Sequence, residues 1–592
     1  MTLLDALRAA GAVAPLDHRF AQLLARRADV QDERVLAAAA LAGSVGDGGH
    51  VCLDLGEAAA VLAREAAARS EDGDAAPSLP ALPEAGPWAD ALAQATDVVR
   101  GPGDDRLTPL VLADAALYLD RNWEHQAALV RTIARRMAPR AVDATALEAT
   151  LDRLFAPGDA KSALQRQAVR HALTRGLTVI AGGPGTGKTA VVIRLLAAFS
   201  HLVTDADGGP PRVVLVAPTG KAAARMTESI RDRLASWIPE DLRAGVPPEA
   251  STIHRALRMG PNGGRPRFHA ERPLDADLVV VDEASMVDLP LMARLLDATP
   301  AHARLVLLGD PDQLVSVEKG AVLKDLTTSA ATAPAVVTLT ESWRFTGGIA
   351  RLARAINTGD ADDALAAFDA EASLTRLDLP DGDRLRALSA VLRDRVVAGY
   401  RPALVPTDPA AALEALRQFR VLCAHRSGPW GVHGLGPLIE GWLRTARLIA
   451  PGDGPWYRGR AVLVGRNDHQ RQLYNGDVGV LRPDPARPDG PVLAWFPSPA
   501  GPLRAFAPAG LPPHETVFAT TVHKAQGSEY ARVLVVLPRD PSPLLTRELL
   551  YTAVTRARDE VVVLGSRERI AEAIGTPTQR MSGLGAALDA AI

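Results

Sequence analysis

Eight consecutive residues, Gly182-Gly183-Pro184-Gly185-Thr186-Gly187-Lys188-Thr189, constrain this chain more than any other feature. They fit the pattern G-x-x-x-x-G-K-[ST], and their surroundings give the pattern a physical meaning. The apolar, β-branched run at 177–181 has the length of a buried strand. After the loop, Val191, Val192, Leu195, Leu196 and Phe199 recur at helical spacing. A strand that turns through glycines into a helix N-terminus aims backbone N–H groups inward, and the helix dipole adds partial positive charge. Such a loop cradles phosphate oxygens. Lys188 is expected on the β- and γ-phosphates of ATP, and the Thr189 hydroxyl on Mg²⁺.

Downstream, the apolar run 278–281 ends in Asp282 and Glu283. Following a phosphate loop, that pair suits a magnesium ligand (Asp282) and a group that orients or deprotonates the attacking water (Glu283). Taken alone, an acidic pair at a strand end is more often a helix cap or a solvated turn. A third run, 304–308, leads into Gly309-Asp310-Pro311-Asp312-Gln313, where Gln313 can sense the γ-phosphate; the alternative is an Asp-rich turn. Arg344, in Glu341-Ser342-Trp343-Arg344-Phe345, and Arg556, in Tyr551-Thr552-Ala553-Val554-Thr555-Arg556, can complete the charge balance. An arginine offered across a cleft is worth roughly 10³–10⁵ in rate. Each of the two could instead be a surface arginine paired with a carboxylate.

Residues 1–148 read as a helical domain, with a polar, Pro-containing break near 70–86 and no catalytic constellation. From 149 onward, short apolar runs alternate with helical stretches, at 177–181, 213–217, 278–281 and 304–308, then at 420–423, 460–464, 532–537 and 561–564. Strands apolar on both faces and separated by helices indicate parallel sheets with crossovers. The expected architecture is α/β: a first RecA-like P-loop motor domain at 149–335 and a second at 336–592. A small β-rich, SH3-like insertion is expected at about 453–514, where Asn475-Gly476 is a turn signal and a strand follows at 492–496.

Taken together, the ordered motifs resemble the superfamily-one helicases. They are the phosphate loop, Ala217-Pro218-Thr219-Gly220-Lys221-Ala222-Ala223, Thr252-Ile253-His254-Arg255, Asp282-Glu283-Ala284-Ser285, the Gly309–Gln313 and Glu341–Phe345 segments, Thr521-Val522-His523-Lys524-Ala525-Gln526-Gly527-Ser528-Glu529, and the Tyr551–Arg558 segment. The resemblance implies that Gln165 reads adenine, that Glu529 lies near the ribose, and that Thr219, His254, Thr521, His523 and Gln526 face single-stranded DNA. Within the superfamily the chain resembles the RecD family, alpha subunits of exodeoxyribonuclease V (RecBCD). That likeness rests on Gly49-His50-Val51-Cys52-Leu53-Asp54-Leu55, Val315-Ser316-Val317-Glu318-Lys319-Gly320, Gly428-Pro429-Trp430-Gly431-Val432 and Arg466-Asn467-Asp468. It implies a 5′-to-3′ motor acting on DNA duplex ends in a heterotrimer with RecB and RecC, without a nuclease centre of its own. Residues 1–148 are expected to dock on the RecC-like partner. A stand-alone RecD-like helicase, an inactive scaffold and an RNA helicase are the competing readings.

Composition sets limits. A net charge of −3 means that any nucleic-acid path must concentrate positive charge locally. Two distant cysteines, Cys52 and Cys423, exclude a mainly thiolate metal site, and no disulfide framework is expected from them. With neither a signal-like N-terminus nor an apolar run of membrane-spanning length, a cytoplasmic location without membrane partners is expected. The segment 258–273 either forms a strand-separating hairpin or simply closes a loop. Lys188→Gln is expected to abolish ATP turnover in a folded protein, which a phosphate-release assay beside a circular-dichroism spectrum checks; near-normal hydrolysis would overturn the site.

Overall fold

Position along the first sheet decides where the motif loops meet. The computed structural model describes residues 2–69, 78–156, 162–203, 209–247, 249–260, 264–315, 319–341, 347–378, 384–449, 454–468, 470–498 and 501–592. Six parallel strands run in the order Val336–Leu339, Leu177–Gly182, Arg304–Gly309, Leu278–Val281, Val213–Ala217, Ser251–Thr252. The carboxyl ends of Leu177–Gly182, Arg304–Gly309 and Leu278–Val281 therefore lie side by side. This is the edge where open parallel sheets bind ligands. The last strand, Val336–Leu339, pairs with Leu177–Gly182, so this sheet extends past the expected boundary at 335.

Both faces of the sheet are covered, as its continuous apolar runs require. Side chains alternate along each strand. Val279, Val281, Leu305 and Leu307 face one core, shared with the N-terminal region. Leu278, Val280, Val306 and Leu308 face another, closed by Val169, Leu173, Val191, Leu195 and Phe199 of the helices Ala163–Thr174 and Lys188–Leu202.

The second parallel sheet has five strands, in the order Leu374–Leu377, Ala557–Leu564, Tyr530–Val536, Phe419–Cys423, Ala519–Thr521. The run 460–464 does not join it, contrary to the expectation from texture. Ala461–Val464 pairs antiparallel with Val478–Asp484 and His514–Thr516 and so belongs to the inserted sheet. Periodicity alone cannot assign a β-branched run to one sheet or another; backbone pairing does. The insert is a five-stranded antiparallel sheet ordered Gly501–Phe506, Arg487–Ser498, Val478–Asp484, Ala461–Val464, His514–Thr516, and among the described residues its two outer strands do not pair. Its Tyr474 ring lies against Gly220, where a Cβ would come within 3.3 Å, so the insert also leans on the first motor fold.

The N-terminal region is mainly helical, and it also carries a small sheet that its sequence texture did not signal. Cys52–Asp54 pairs with Ala116–Leu119, which pairs with Leu110–Ala113, which in turn pairs with Val99–Arg100. After the strand Cys52–Asp54 the next helix begins at Ala58. Arg136, at the end of the helix Asp120–Arg136, is buried and donates to three carbonyls of the first motor fold: Ala303 and Thr299 at 2.7 Å and Pro300 at 2.9 Å. Of the segment 258–273, residues 261–263 lie outside the described set. Its described part shows one antiparallel bridge, His269 with Arg272, and no longer ladder. Among the described residues no helix is long and apolar enough to cross a membrane.

The C-terminal segment leaves the second motor fold and returns to the first. Met581 N donates to His50 Nδ1 at 2.8 Å, and Val51 N donates to Met581 O at 2.9 Å. Leu584 and Leu588 enter the core shared by the N-terminal region and the first sheet. The segment 49–55 thus receives the chain's own C-terminus.

Asp325 takes part in this junction, accepting a hydrogen bond from Ser582 Oγ at 2.8 Å. Burial lifts its carboxyl from 3.8 to about 6, against the lowering effect of that hydrogen bond. The folded state therefore favours the protonated form. Below about pH 4 both folded and unfolded chains carry the proton and no cost arises; the cost grows to about pH 6 and is complete above it. Asp325→Asn is expected to raise stability at pH 7.5 by about 1–3 kcal/mol. Thermal melts across pH should show that gain shrinking to nothing near pH 4.

Candidate nucleotide cleft

The loop 182–189 is built by backbone conformations that side chains resist. Gly185 and Gly187 have φ of 79° and 88°, and Gly187 caps the helix Lys188–Leu202 in the left-handed region. Gly183 is needed for a second reason. A Cβ there would meet the Tyr551 hydroxyl at 2.8 Å, a side chain from the second motor fold. Lys188 Nζ donates to the carbonyls of Gly182 and Gly183, the latter at 3.0 Å. Thr186 Oγ1 donates to Gly183 O at 2.9 Å and tightens the turn.

Together with this loop, the neighbouring strand ends line a cleft of ≈ 660 Å³ that contains Lys188, Thr189, Asp282, Glu283, Gln313 and Arg556. Burial, and then the adjacent Glu283 carboxylate, push the Asp282 pKa up, while Lys188 and Arg225 oppose the shift. Glu283 sits at φ 52°, a left-handed conformation that costs a non-glycine residue on the order of 1–3 kcal/mol. Its N–H donates back to Asp282 Oδ1 at 2.9 Å. A half-buried, hydrogen-bonded carboxylate beside an ammonium and a threonine fits a hard divalent cation.

Gln313 is buried, and its amide donates to Asp310 Oδ2 at 2.8 Å. Tyr551, from the second fold, donates to the same oxygen at 3.1 Å. Burial raises the Asp310 pKa, opposed first by Lys188. Arg556 is only 4% exposed; its guanidinium donates to Thr552 O at 3.1 Å and to Ser528 O at 3.3 Å. Burial lowers its pKa, with Glu283 and Glu529 acting in the opposite sense. Arg344 lies outside the described residues.

At the far end of the cleft, Gln165 is buried and donates to Thr186 O at 3.4 Å. Arg194 donates to its carbonyl oxygen at 3.3 Å and lies over the rings of Phe155 and Trp237. Glu529 faces the same cleft, ion-paired at 2.7 Å with Arg225 of the helix Gly220–Trp237.

The five residues expected on DNA do not line this cleft. Thr219 and His254 follow the two strands at one edge of the first sheet, and Thr521 ends an edge strand of the second. Two hydroxyls are engaged locally, Thr219 accepting from Ala222 N at 3.2 Å and Thr521 from Lys524 N at 3.3 Å. His254 is exposed. His523 is half-buried, and burial with the nearby Arg580 charge lowers its pKa. Gln526 donates to Leu314 O at 2.8 Å, and Leu314 N donates to Thr552 Oγ1 at 2.9 Å. Leu314 directly follows Gln313, so one backbone residue joins the cleft to both segments of the second fold.

Several residues at the site were not picked out from the sequence: Asp310, Tyr551, Arg225 and Arg194. Asp310 and Tyr551 stood inside quoted motifs and Arg225 two positions beyond one, but the partners are over 200 positions apart in the chain for Asp310–Tyr551 and Arg225–Glu529. Among the described residues no separate group of three or more metal-ligating side chains occurs.

Comparison with known families gives three matches. The RecBCD enzyme subunit RecD N-terminal domain matches residues 9–118, an AAA domain 160–378, and a UvrD-like helicase C-terminal domain 516–564. Over 99% of this chain and 98% of that protein, it is 40% identical to the RecBCD enzyme subunit RecD of Mycolicibacterium smegmatis. It is 39% identical to the subunit of the same name from Mycobacterium tuberculosis, over 98% of this chain and 96% of that protein. The Pif1 helicase of Candida albicans aligns with a TM-score of 0.38 at 15% identity, covering 70% of this chain and 97% of that one.

Removing the Tyr551 hydroxyl takes one of two side-chain donors from the buried Asp310. Tyr551→Phe is expected to cost about 1–3 kcal/mol of stability, measured by urea denaturation. A cost within error of zero would mean that the cross-fold hydrogen bond contributes nothing.

Proposed function

Because the chain belongs to the RecD family, we propose that it is the ATP-driven DNA helicase subunit of a RecBCD-type complex, moving 5′ to 3′ on one strand of a duplex end. The observation that carries this reading is a cleft whose two walls come from different motor folds, each side supplying charged groups for one nucleotide. Residues 1–148 serve as the partner-binding region, 149–339 as the first motor and most of the remainder as the second. The match of 9–118 to the RecD N-terminal domain favours a subunit that works with RecB and RecC over a stand-alone helicase.

In this mechanism the loop 182–189 binds the triphosphate, with its backbone N–H groups and Lys188 facing the phosphate oxygens. A magnesium ion held by Thr189 and Asp282 would supply the charge that offsets the β- and γ-phosphates. Glu283 orients the attacking water and accepts its proton, and Gln313 contacts the γ-phosphate from the next strand. Arg556, from the opposite wall, stabilises the charge that develops on the transferred phosphoryl group; Arg344 is assigned the same part. Gln165 reads the base, its amide orientation fixed by Arg194.

Movement follows from the connections at Leu314. Any shift of Gln313 with the γ-phosphate displaces Leu314, whose carbonyl holds Gln526 and whose N–H holds Thr552. Gln526 lies with Thr521 and His523 on the loop assigned to the DNA strand, a part shared with Thr219 and His254. Hydroxyl, imidazole and amide groups suit contacts with phosphate and sugar that ignore sequence. The location that fits this work is cytoplasmic, on DNA.

Unwinding of duplexes with a 5′ or a 3′ single-stranded tail tests the reading. ATP-dependent unwinding from the 5′ tail is expected, alone or with RecB and RecC, and preference for the 3′ tail would refute it. Arg556→Ala is expected to lower hydrolysis roughly 10³-fold or more with nucleotide binding retained, measured by steady-state ATPase and nucleotide titration.

A further inference from the structure

Arg225 is one of several arginines on the cleft, and its hydrogen bonds span it. It projects from the helix Gly220–Trp237 of the first motor fold. One arm of its guanidinium donates to Gly527 O and the other to Glu529 Oε1 at 2.7 Å, both in the second fold. One turn earlier, Lys221 donates to Ser528 Oγ. Positions i and i+4 of one helix face thus grip three consecutive residues of the opposite wall. Gly527 turns at φ 64°, which presents its carbonyl within that grip.

The held loop is chemically connected to the rest of the site. Ser528 O accepts from Arg556, and Tyr530 N donates to Arg556 O at 2.9 Å. Glu529 itself poses a charge problem. A carboxylate lining a cleft built for a polyanion repels the ligand unless positive charge offsets it, and Arg225 is a cation in contact with it. With one oxygen fixed by Arg225, the carboxylate is aimed as an acceptor. A triphosphate offers it no donor, whereas sugar hydroxyls do.

We propose that Arg225 is a cross-cleft positioning residue: it holds the Gly527–Glu529 loop against the first motor fold and aims Glu529 at the sugar hydroxyls of the bound nucleotide. Sugar recognition then exists only while the two folds are closed on each other, because the acceptor belongs to one and its orienting cation to the other. This rests on the reading of the cleft as an ATP site.

The test compares hydrolysis of ATP with that of 2′,3′-dideoxy-ATP, in the wild type, Arg225→Ala, Arg225→Lys and Glu529→Ala, as the ratio of kcat/KM values. The wild type is expected to favour ATP by about tenfold, the scale of one hydrogen bond to a charged group. Arg225→Ala should bring the ratio near unity and match Glu529→Ala, with the double variant no worse, as expected for residues acting as a unit. Arg225→Lys, which cannot reproduce the two-armed contact, should restore it only in part. A ratio compares two nucleotides on one protein, so general damage to the fold cancels. Arg225→Ala with an undiminished preference, or a wild type indifferent to the hydroxyls, overturns the proposal. Normal hydrolysis by Lys188→Gln would instead overturn the ATP reading beneath it.

Discussion

Charged groups taken out of water at the boundary between two motor folds govern the rest of this structure. Asp310 is nearly inaccessible, Arg556 is 4% exposed, and burial shifts each toward its neutral form. Ionic groups buried this deeply need hydrogen-bond partners, and Arg556 finds carbonyls at Thr552 and Ser528. Asp310 takes one donor from Gln313 beside it and another from Tyr551 across the boundary. Glu529 takes Arg225, again across it. A site assembled this way is complete only when the folds meet, which is the condition a motor needs if hydrolysis is to depend on domain closure.

The boundary is tied together elsewhere by backbone groups, and these ties differ in kind. Leu314 is held through its carbonyl and its N–H by Gln526 and Thr552, a contact that relays displacement. The C-terminal segment instead fixes the second fold to the N-terminal region through His50, Val51 and the apolar Leu584 and Leu588. Arg136 does the same between the N-terminal region and the first fold, through three carbonyls. The fixed joints carry apolar burial or several hydrogen bonds. The cleft is crossed chiefly by polar contacts: the Arg225 and Lys221 grip and the Tyr551 hydrogen bond to Asp310.

How much of this was legible depended on range along the chain. The loop 182–189, Asp282 with Glu283, and Gln313 are each short motifs at strand ends, and a parallel sheet brings such ends together whatever lies between them. Their convergence on one cleft followed from periodicity and glycine placement. The small N-terminal sheet was not visible, because strands of two to four residues in an alanine-rich region leave no period to read. The run 460–464 was legible as a strand but not as a member of the insert, because membership is decided by pairing with 478–484 and 514–516.

The sequence by itself determined the phosphate loop, the acidic strand end, the two parallel α/β units and the family, since each depends on residues close together or on an ordered set of local motifs. Tertiary structure alone decided that Arg225 meets Glu529, that Tyr551 meets Asp310 and forbids a side chain at Gly183, and that segment 49–55 receives the C-terminus. The reason is physical. A side chain's intrinsic preferences are written in its local sequence, but the partner that makes its burial affordable is chosen by how separate folds pack.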